Sequence, residues 1–155
     1  MTELGKVKSV TVYWIEVYVL EIEVYVTKGQ LSSTVVIGLP DAAVKECRDR
    51  VKDALKNSGY KFPYKNITIN LAPADRKKEG PSFELFIATG LLIATNQIET
   101  EKIKEYGIVG EFALDGRVRT VNSCLSMATK CKEAGLKGLI LPVDNAPEAA
   151  IRRWH

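Results

Sequence analysis

The sequence predicts an α+β domain, a mixed sheet with packed helices, in one two-layer α/β unit. Three observations carry that reading. Residues 7–28 are dense in Val, Ile, Tyr and Thr, the composition of strands. Three later stretches, from Asp41 to Ser58-Gly59, 82–97 and 122–134, carry helical spacing or helix-bounding residues. Short β-like runs lie between them, so strands and helices interleave. The chain has 155 residues, 46% apolar and 26% charged, which suits one hydrophobic core and a single domain over residues 1–155. Disorder, collagen and coiled coil are excluded by the same figures.

The elements follow in order. From Val10 to Trp14 the even positions are large and apolar, and Leu20, Ile22, Val24 and Val26 repeat the pattern. Val17 and Val19 are out of phase between them. A slip of one residue flips the faces of a half-buried strand, so a turn or bulge is expected near Ile15–Val17, with 7–14 and 18–28 as a hairpin. Thr34–Ile37 is a short strand. Asp41 caps a helix whose apolar stripe is Val44, Cys47, Val51, Ala54 and Leu55 and which stops at Ser58-Gly59. Lys45, Arg48, Arg50, Lys52 and Lys56 share its outer side with Glu46, Asp49 and Asp53, as on a solvated face. Asn66–Leu71 is a strand and 72–81 a polar loop. Ser82–Gln97 is apolar nearly all round and should be a buried central helix. Gly107–Leu114 and Arg117–Val121 flank Asp115-Gly116, a strong hairpin signal. A helix from Asn122 to Ala134 ends at Gly135, Leu139–Leu141 is a last strand, and Asn145–Arg152 a final helix.

Composition removes several classes of function. The most apolar stretch, Leu85–Ala94, is interrupted by Thr89 and Gly90 and is short of the roughly 20 residues of a membrane span. The N-terminus lacks the apolar core of a signal peptide, so a soluble cytoplasmic domain without a membrane partner is expected. Three cysteines, Cys47, Cys124 and Cys131, form no C-x-x-C pair and read as reduced structural thiols. His155 is the only histidine, so no zinc set and no Ser-His-Asp set can be assembled. No Gly-x-x-x-x-Gly-Lys-Ser/Thr motif is present, so no P-loop is expected.

The net charge of +3 is too small to imply nucleic acid, but its distribution is uneven. Lys61, Lys65, Arg76, Lys77 and Lys78 face only Asp75 and Glu79 within 61–80. Arg117, Arg119, Lys130, Lys132 and Lys137 face only Glu133 within 117–137. Arg76, Lys77 and Lys78 precede a helix start, where backbone amides also attract phosphate. Arg117 and Arg119 alternate with Val118 and so share one face of a strand. These five residues are the nucleic-acid-binding candidates. Ser82, opening the buried helix after Lys78-Glu79-Gly80-Pro81, sits in the field of its N-terminus and reads either as a cap or as a nucleophile.

Longer blocks carry a resemblance. Gly38-Leu39-Pro40-Asp41-Ala42-Ala43-Val44-Lys45-Glu46, Asp49-Arg50-Val51, Asn57-Ser58-Gly59-Tyr60 and Asn70-Leu71-Ala72-Pro73-Ala74-Asp75 form the first set. Lys78-Glu79-Gly80-Pro81-Ser82-Phe83-Glu84-Leu85 and Ala134-Gly135-Leu136-Lys137-Gly138-Leu139-Ile140-Leu141-Pro142 extend it. Over about residues 5–150 the chain resembles the N-terminal domain of the magnesium-chelatase-related AAA+ ATPases, the ComM-type competence helicases. The family's Gly-containing first turn is replaced here by Trp14-Ile15-Glu16-Val17. Such domains resemble in turn the Lon-protease-like fold, in which Gly80-Pro81-Ser82 is similar to the segment with the nucleophilic serine. Gly110-Glu111 through Asp115-Gly116-Arg117-Val118 is similar to the hairpin that follows. The resemblance places the catalytic lysine at Leu125. Lys130 lies five residues on, about 140° around the helix, so Ser82 stands without its base and no catalytic residue is expected.

The resemblance therefore implies a non-catalytic accessory domain, with DNA recombination and natural transformation as the context. Its roles would be oligomer contact, DNA guidance, or both. The implied partners are the AAA+ ATPase domain of the parent protein, DNA, and further copies in a homo-oligomer. ATP and Mg2+ would belong to that ATPase domain, which would begin where Trp154-His155 ends this chain, leaving no cofactor here. Two other readings are a Lon-type serine peptidase, which a lysine near Ser82 would favour, and a stand-alone protein-interaction module, which an exposed apolar patch would favour.

Overall fold

The β-rich first segment forms a long ribbon. In the computed structural model, which describes residues 3–13, 16–28, 33–37, 41–72, 84–99, 101, 103–113, 115–122 and 124–149, β1 (Glu3–Tyr13) pairs antiparallel with β2 (Glu16–Thr27). The register runs unbroken from Glu3 opposite Val26 to Tyr13 opposite Glu16. Val17 thus lies inside β2, opposite Val12, and the expected turn or bulge does not interrupt the strand there. Ile15 lies outside the described residues. Among the described residues, β2 pairs on its second side with β4 from Glu21 to Thr27.

β3 (Ser33–Ile37) and β4 (Asn66–Ala72) complete a four-stranded sheet of order β1-β2-β4-β3, antiparallel except for the β3–β4 pair. Val24, Ile69 and Val36 align across three strands, flanked by Ile22 opposite Leu71 and Val26 opposite Ile67, and all seven are buried. Tyr25, Val35 and Ile37 face the other way and are exposed. Helices α1 (Asp41–Asn57) and α2 (Glu84–Ala94) cover the buried face. The predicted α1 stripe is the buried one, with Cys47 half-buried. Gly59 ends α1 in a left-handed conformation, φ +84°, and lets the Tyr60 N–H reach the Leu55 carbonyl at 2.8 Å. Nine of the eleven α2 residues are buried, as an all-round apolar helix requires. It stops before the expected Gln97, because Asn96 takes φ +57° and the Gln97 N–H turns back to the Leu92 carbonyl at 2.9 Å.

The expected strand 107–114 is divided. β5 (Tyr106–Ile108) pairs parallel with β8 (Gly138–Ile140), while β6 (Glu111–Phe112) pairs antiparallel with β7 (Val118–Arg119). Between them the chain changes partners: the Val109 N–H donates to the Ile140 carbonyl, and the Gly110 carbonyl accepts from the Leu85 N–H. A Cβ at Gly110 would stand 2.8 Å from Val118 Cγ1 and 2.9 Å from Leu85 Cδ2, so the crossover needs glycine. The Asp115-Gly116 hairpin forms, with Gly116 at φ +89°. Its second strand is shorter than the expected 117–121, because Val121 leaves the ladder for the buried side chain of Asn145. The Val121 N–H donates to Asn145 Oδ1 at 2.9 Å, and Asn145 Nδ2 donates to the Val121 carbonyl at 3.0 Å.

Helix α3 (Cys124–Glu133) builds a second core from Val109, Val121, Cys124, Met127 and Cys131, with Leu136, Leu139 and Leu141 against it. The final helix is preceded by a 3-10 turn, Val143–Asn145, and continues as α4 (Ala146–Ala149). Residues 150–152 of the expected helix lie outside the described residues. All three cysteines are free, as read. No helix among the described residues is long and apolar enough to cross a membrane.

Glu84, in the first turn of α2, is 2% exposed. One oxygen of its carboxylate accepts from the Arg50 guanidinium of α1 at 2.9 Å, the other from the Phe112 N–H of β6 at 3.0 Å. Arg50 also reaches Glu46 at 2.6 Å. Burial raises the Glu84 carboxyl pKa, against the Phe112 N–H and Arg50, which lower it. A buried carboxylate is tolerable only when paired and hydrogen-bonded, and this one is both.

Replacing Glu84 by Ala should lower stability by about 2 kcal/mol, since it removes charge-assisted hydrogen bonds and orphans the buried Phe112 N–H. Urea unfolding measures it. With its folded pKa raised, folding favours the protonated Glu84 carboxyl, and this pH-dependent part of the stability is full below the ordinary carboxylate range and is lost as pH rises through the raised value. Wild type measured against Glu84→Gln should therefore gain relative stability on acidification; a difference independent of pH would contradict this. In the second core, a Cβ at Gly107 would sit 2.6 Å from Cys131 Sγ. Gly107→Ala should cost about 1–3 kcal/mol by overpacking, whereas Gly59→Ala meets no atom and strains only the backbone.

Candidate functional site at the start of the central helix

The first turn of α2 collects contacts from α1 and from the β6–β7 hairpin. Glu84 fixes β6 through Phe112, and the Leu85 N–H fixes the crossover through Gly110. The tip of the β6–β7 hairpin rests on α1, where a Cβ at Gly116 would stand 3.4 Å from the Ala54 backbone and from Asn57 Cβ. The hairpin is thereby held at its base by α2 and at its tip by α1. Ser82, Arg76, Lys77 and Lys78 lie outside the described residues.

The hairpin cations differ from one another. Arg117 precedes β7, and its Nε donates to Asp115 Oδ2 at 2.7 Å while its N–H donates to Oδ1 at 3.0 Å. The Arg117 N–H, with the guanidinium behind it, holds the Asp115 carboxyl below its usual pKa. Part of the Arg117 charge is thus answered locally. Arg119 lies in β7, exposed and in register with Glu111. The structure brings Arg119 and Arg117 onto the hairpin docked against the α2 start.

Leu125 occupies the first turn of α3, half-buried beside the buried Cys124. Lys130 is half-buried farther along the same helix. Burial raises the Cys47 thiol to about 12, helped by the nearby Glu84 charge, and the Cys131 thiol to about 11. Both stay protonated at neutral pH and are poor nucleophiles. Among the described residues no group of three or more His, Cys, Asp or Glu could hold a metal ion.

Two constellations escape the sequence reading. The Arg50–Glu84 pair joins residues 34 apart; its signal is one acidic residue opening an otherwise apolar helix. Beyond α1, Tyr64 lies under two lysines, with Lys52 and Lys56 Nζ each 5.3 Å from its ring centroid. Its signal is Tyr60-Lys61-Phe62-Pro63-Tyr64-Lys65, where aromatic and basic residues alternate.

Comparison of the sequence with known proteins places it in a family. Residues 22–145 match the family model described as Subunit ChlI of Mg-chelatase. An uncharacterized protein of Escherichia coli (strain K12), YifB, is 46% identical over 132 residues, 85% of this chain and 26% of that protein. The competence protein ComM of Haemophilus influenzae is 42% identical over 130 residues, 84% of this chain and 25% of that protein. The chain spans about a quarter of the length of these relatives. The Lon protease of Brevibacillus choshinensis is 31% identical over 132 residues, 81% of this chain and 16% of that protein. With four fifths of its length inside the family model, an α+β fold and a distant likeness to Lon proteases, the chain belongs to the magnesium-chelatase ChlI-related family that includes the ComM-type proteins.

Proposed function

We propose that this chain is a non-catalytic accessory domain of a ComM-type AAA+ ATPase acting in DNA recombination. The observation that carries the reading is Leu125. The Lon-like resemblance puts a lysine base at that position, and an aliphatic side chain cannot deprotonate Ser82. The competence context comes from the relative named ComM. ATP and Mg2+ are then the business of a motor domain elsewhere in a longer protein, in the cytoplasm, and the domain described here contacts neighbouring copies, guides DNA, or does both. For DNA the surface is Arg76, Lys77 and Lys78 ahead of α2, together with Arg117 and Arg119 on the docked hairpin.

Calorimetry of the chain with ATP and Mg2+ should show no saturable heat, and a micromolar dissociation constant would refute that part. No peptide cleavage should exceed the blank, and Ser82→Ala should lower stability by about 1 kcal/mol as a lost helix cap. Cleavage abolished by Ser82→Ala would instead make the chain a Lon-type peptidase.

Phosphate contacts make binding fall steeply with salt and ignore base sequence. The triple substitution Arg76→Ala, Lys77→Ala, Lys78→Ala should weaken binding to single-stranded and branched DNA alike and flatten the salt slope. Unchanged binding at low salt would leave the loop as ordinary surface and favour a protein partner.

A further inference from the structure

We infer that Tyr64, with Lys52 and Lys56 of α1 and the adjoining Tyr60 and Lys61, forms a binding surface for single-stranded nucleic acid. A base stacks on Tyr64, and the lysines take the flanking phosphates. The inference deepens the DNA part of the proposed function, but uses no residue invoked there.

The Tyr64 segment is rigid. The chain after α1 is fastened at successive points. The Tyr60 N–H donates to the Leu55 carbonyl at 2.8 Å. The Lys61 N–H donates to Gln97 Oε1, and Gln97 Nε2 donates back to the Lys61 carbonyl, both at 2.8 Å. Phe62 is buried in the main core, and Pro63 fixes its own φ. Phe62 meets the Tyr64 ring edge-on, with centroids 5.8 Å apart. On this fixed segment Tyr64 is nevertheless 60% exposed and Tyr60 39%. Rigid exposed aromatics offer contact area at low ordering cost, which is a requirement of a binding surface rather than of a core.

The same surface is basic. Residues 52–65 contain Lys52, Lys56, Lys61 and Lys65 against Asp53 alone. Both α1 lysines lie within the range of a cation–π contact with Tyr64. Lys56 first, then Lys52, lowers the Tyr64 phenol pKa, so positive potential is concentrated at the ring. Along α1 the spacing of Lys45, Arg48, Lys52 and Lys56 confines them to one row, about 16 Å long at 1.5 Å per residue. Glu46, Asp49 and Asp53 form the adjacent row. A narrow basic track bordered by carboxylates accommodates one line of phosphates better than the two of a duplex. Stackable rings beside lysines are the recurring chemistry of single-strand binding.

The test is fluorescence anisotropy of the 155-residue chain with a labelled thymidine oligonucleotide, a duplex of equal length, and inorganic polyphosphate as competitor. Tyr64→Ala should weaken single-strand binding about tenfold, the loss of one base stack, and Tyr64→Phe should retain wild-type affinity. The Lys52→Ala, Lys56→Ala double variant should weaken binding and reduce the salt slope by about 0.7 for each phosphate no longer neutralised. The duplex should bind more weakly and ignore Tyr64→Ala. The inference is overturned by a Tyr64→Ala variant that binds as wild type, or by polyphosphate displacing the oligonucleotide at equal phosphate concentration. Loss of binding in the 76–78 triple variant but not in Tyr64→Ala would refute this surface and keep the loop. The reverse pattern would keep this surface and refute the loop. Absence of wild-type binding overturns the inference and leaves oligomer contact as the accessory role.

Discussion

Glu84 is an expensive residue to bury, and its position explains much of the molecule. An unpaired carboxylate in a helix-to-sheet interface would neutralise or unfold its surroundings. This one binds α1 through Arg50 and β6 through the Phe112 N–H, so three elements distant in sequence converge on it. The β6–β7 hairpin has two paired residues per strand and cannot stand by itself. Its base depends on Glu84 and on the Leu85–Gly110 bond, and its tip on α1. An apolar residue at 84 could fill the same volume, but would leave the Phe112 N–H without a partner and the register of the hairpin undetermined. The pair therefore contributes placement more than net stability.

The second core stands in a similar relation to Asn145. Its amide occupies both hydrogen-bonding groups of Val121, doing for one residue what a neighbouring strand would do for a ladder. That clamp ends β7 and delivers the chain to α3. Cys124 and Cys131 then pack inward with Val109 and Met127. Gly107 permits the closest approach of β5 to α3, because the space a Cβ needs is taken by the Cys131 sulfur. The thiols are structural by position, and the raised pKa of Cys131 is a consequence of that packing.

Much of this fold was legible because local and tertiary demands agree. Ile22, Val24 and Val26 alternate in sequence and are buried in a row. Gly59 and Gly135 both end helices at positive φ, where a reader of sequence would stop them. Failures occur where tertiary structure overrides a local pattern. Gly107–Leu114 reads as one strand, yet the chain exchanges β8 for α2 at Gly110, a glycine inside the run being the one local mark of the exchange. Asn96 ends α2 in place of the glycine that the rule leads one to seek. Arg117 and Arg119 read as an equivalent pair, but the side chain of Asp115 separates them by answering only the first. Arg50 reads as part of a solvated face until α2 supplies Glu84. Each miss required a partner that sequence spacing does not reveal.

Helix α1 determines how the two basic surfaces relate. Arg50, Ala54 and Asn57 follow one flank and meet α2 and the hairpin. Lys52 and Lys56 follow the other and meet Tyr64. At 100° per residue, Arg50 and Lys52 are about 160° apart around the axis. The two flanks are thus nearly opposite sides of a single rigid helix whose apolar stripe is anchored in the main core. A ligand bound at Tyr64 is consequently screened from the Arg50–Glu84 pair by the body of α1. Charge changes on the lysine row leave the hairpin anchor intact, and a surface on that row can vary without cost to the contacts that define the fold.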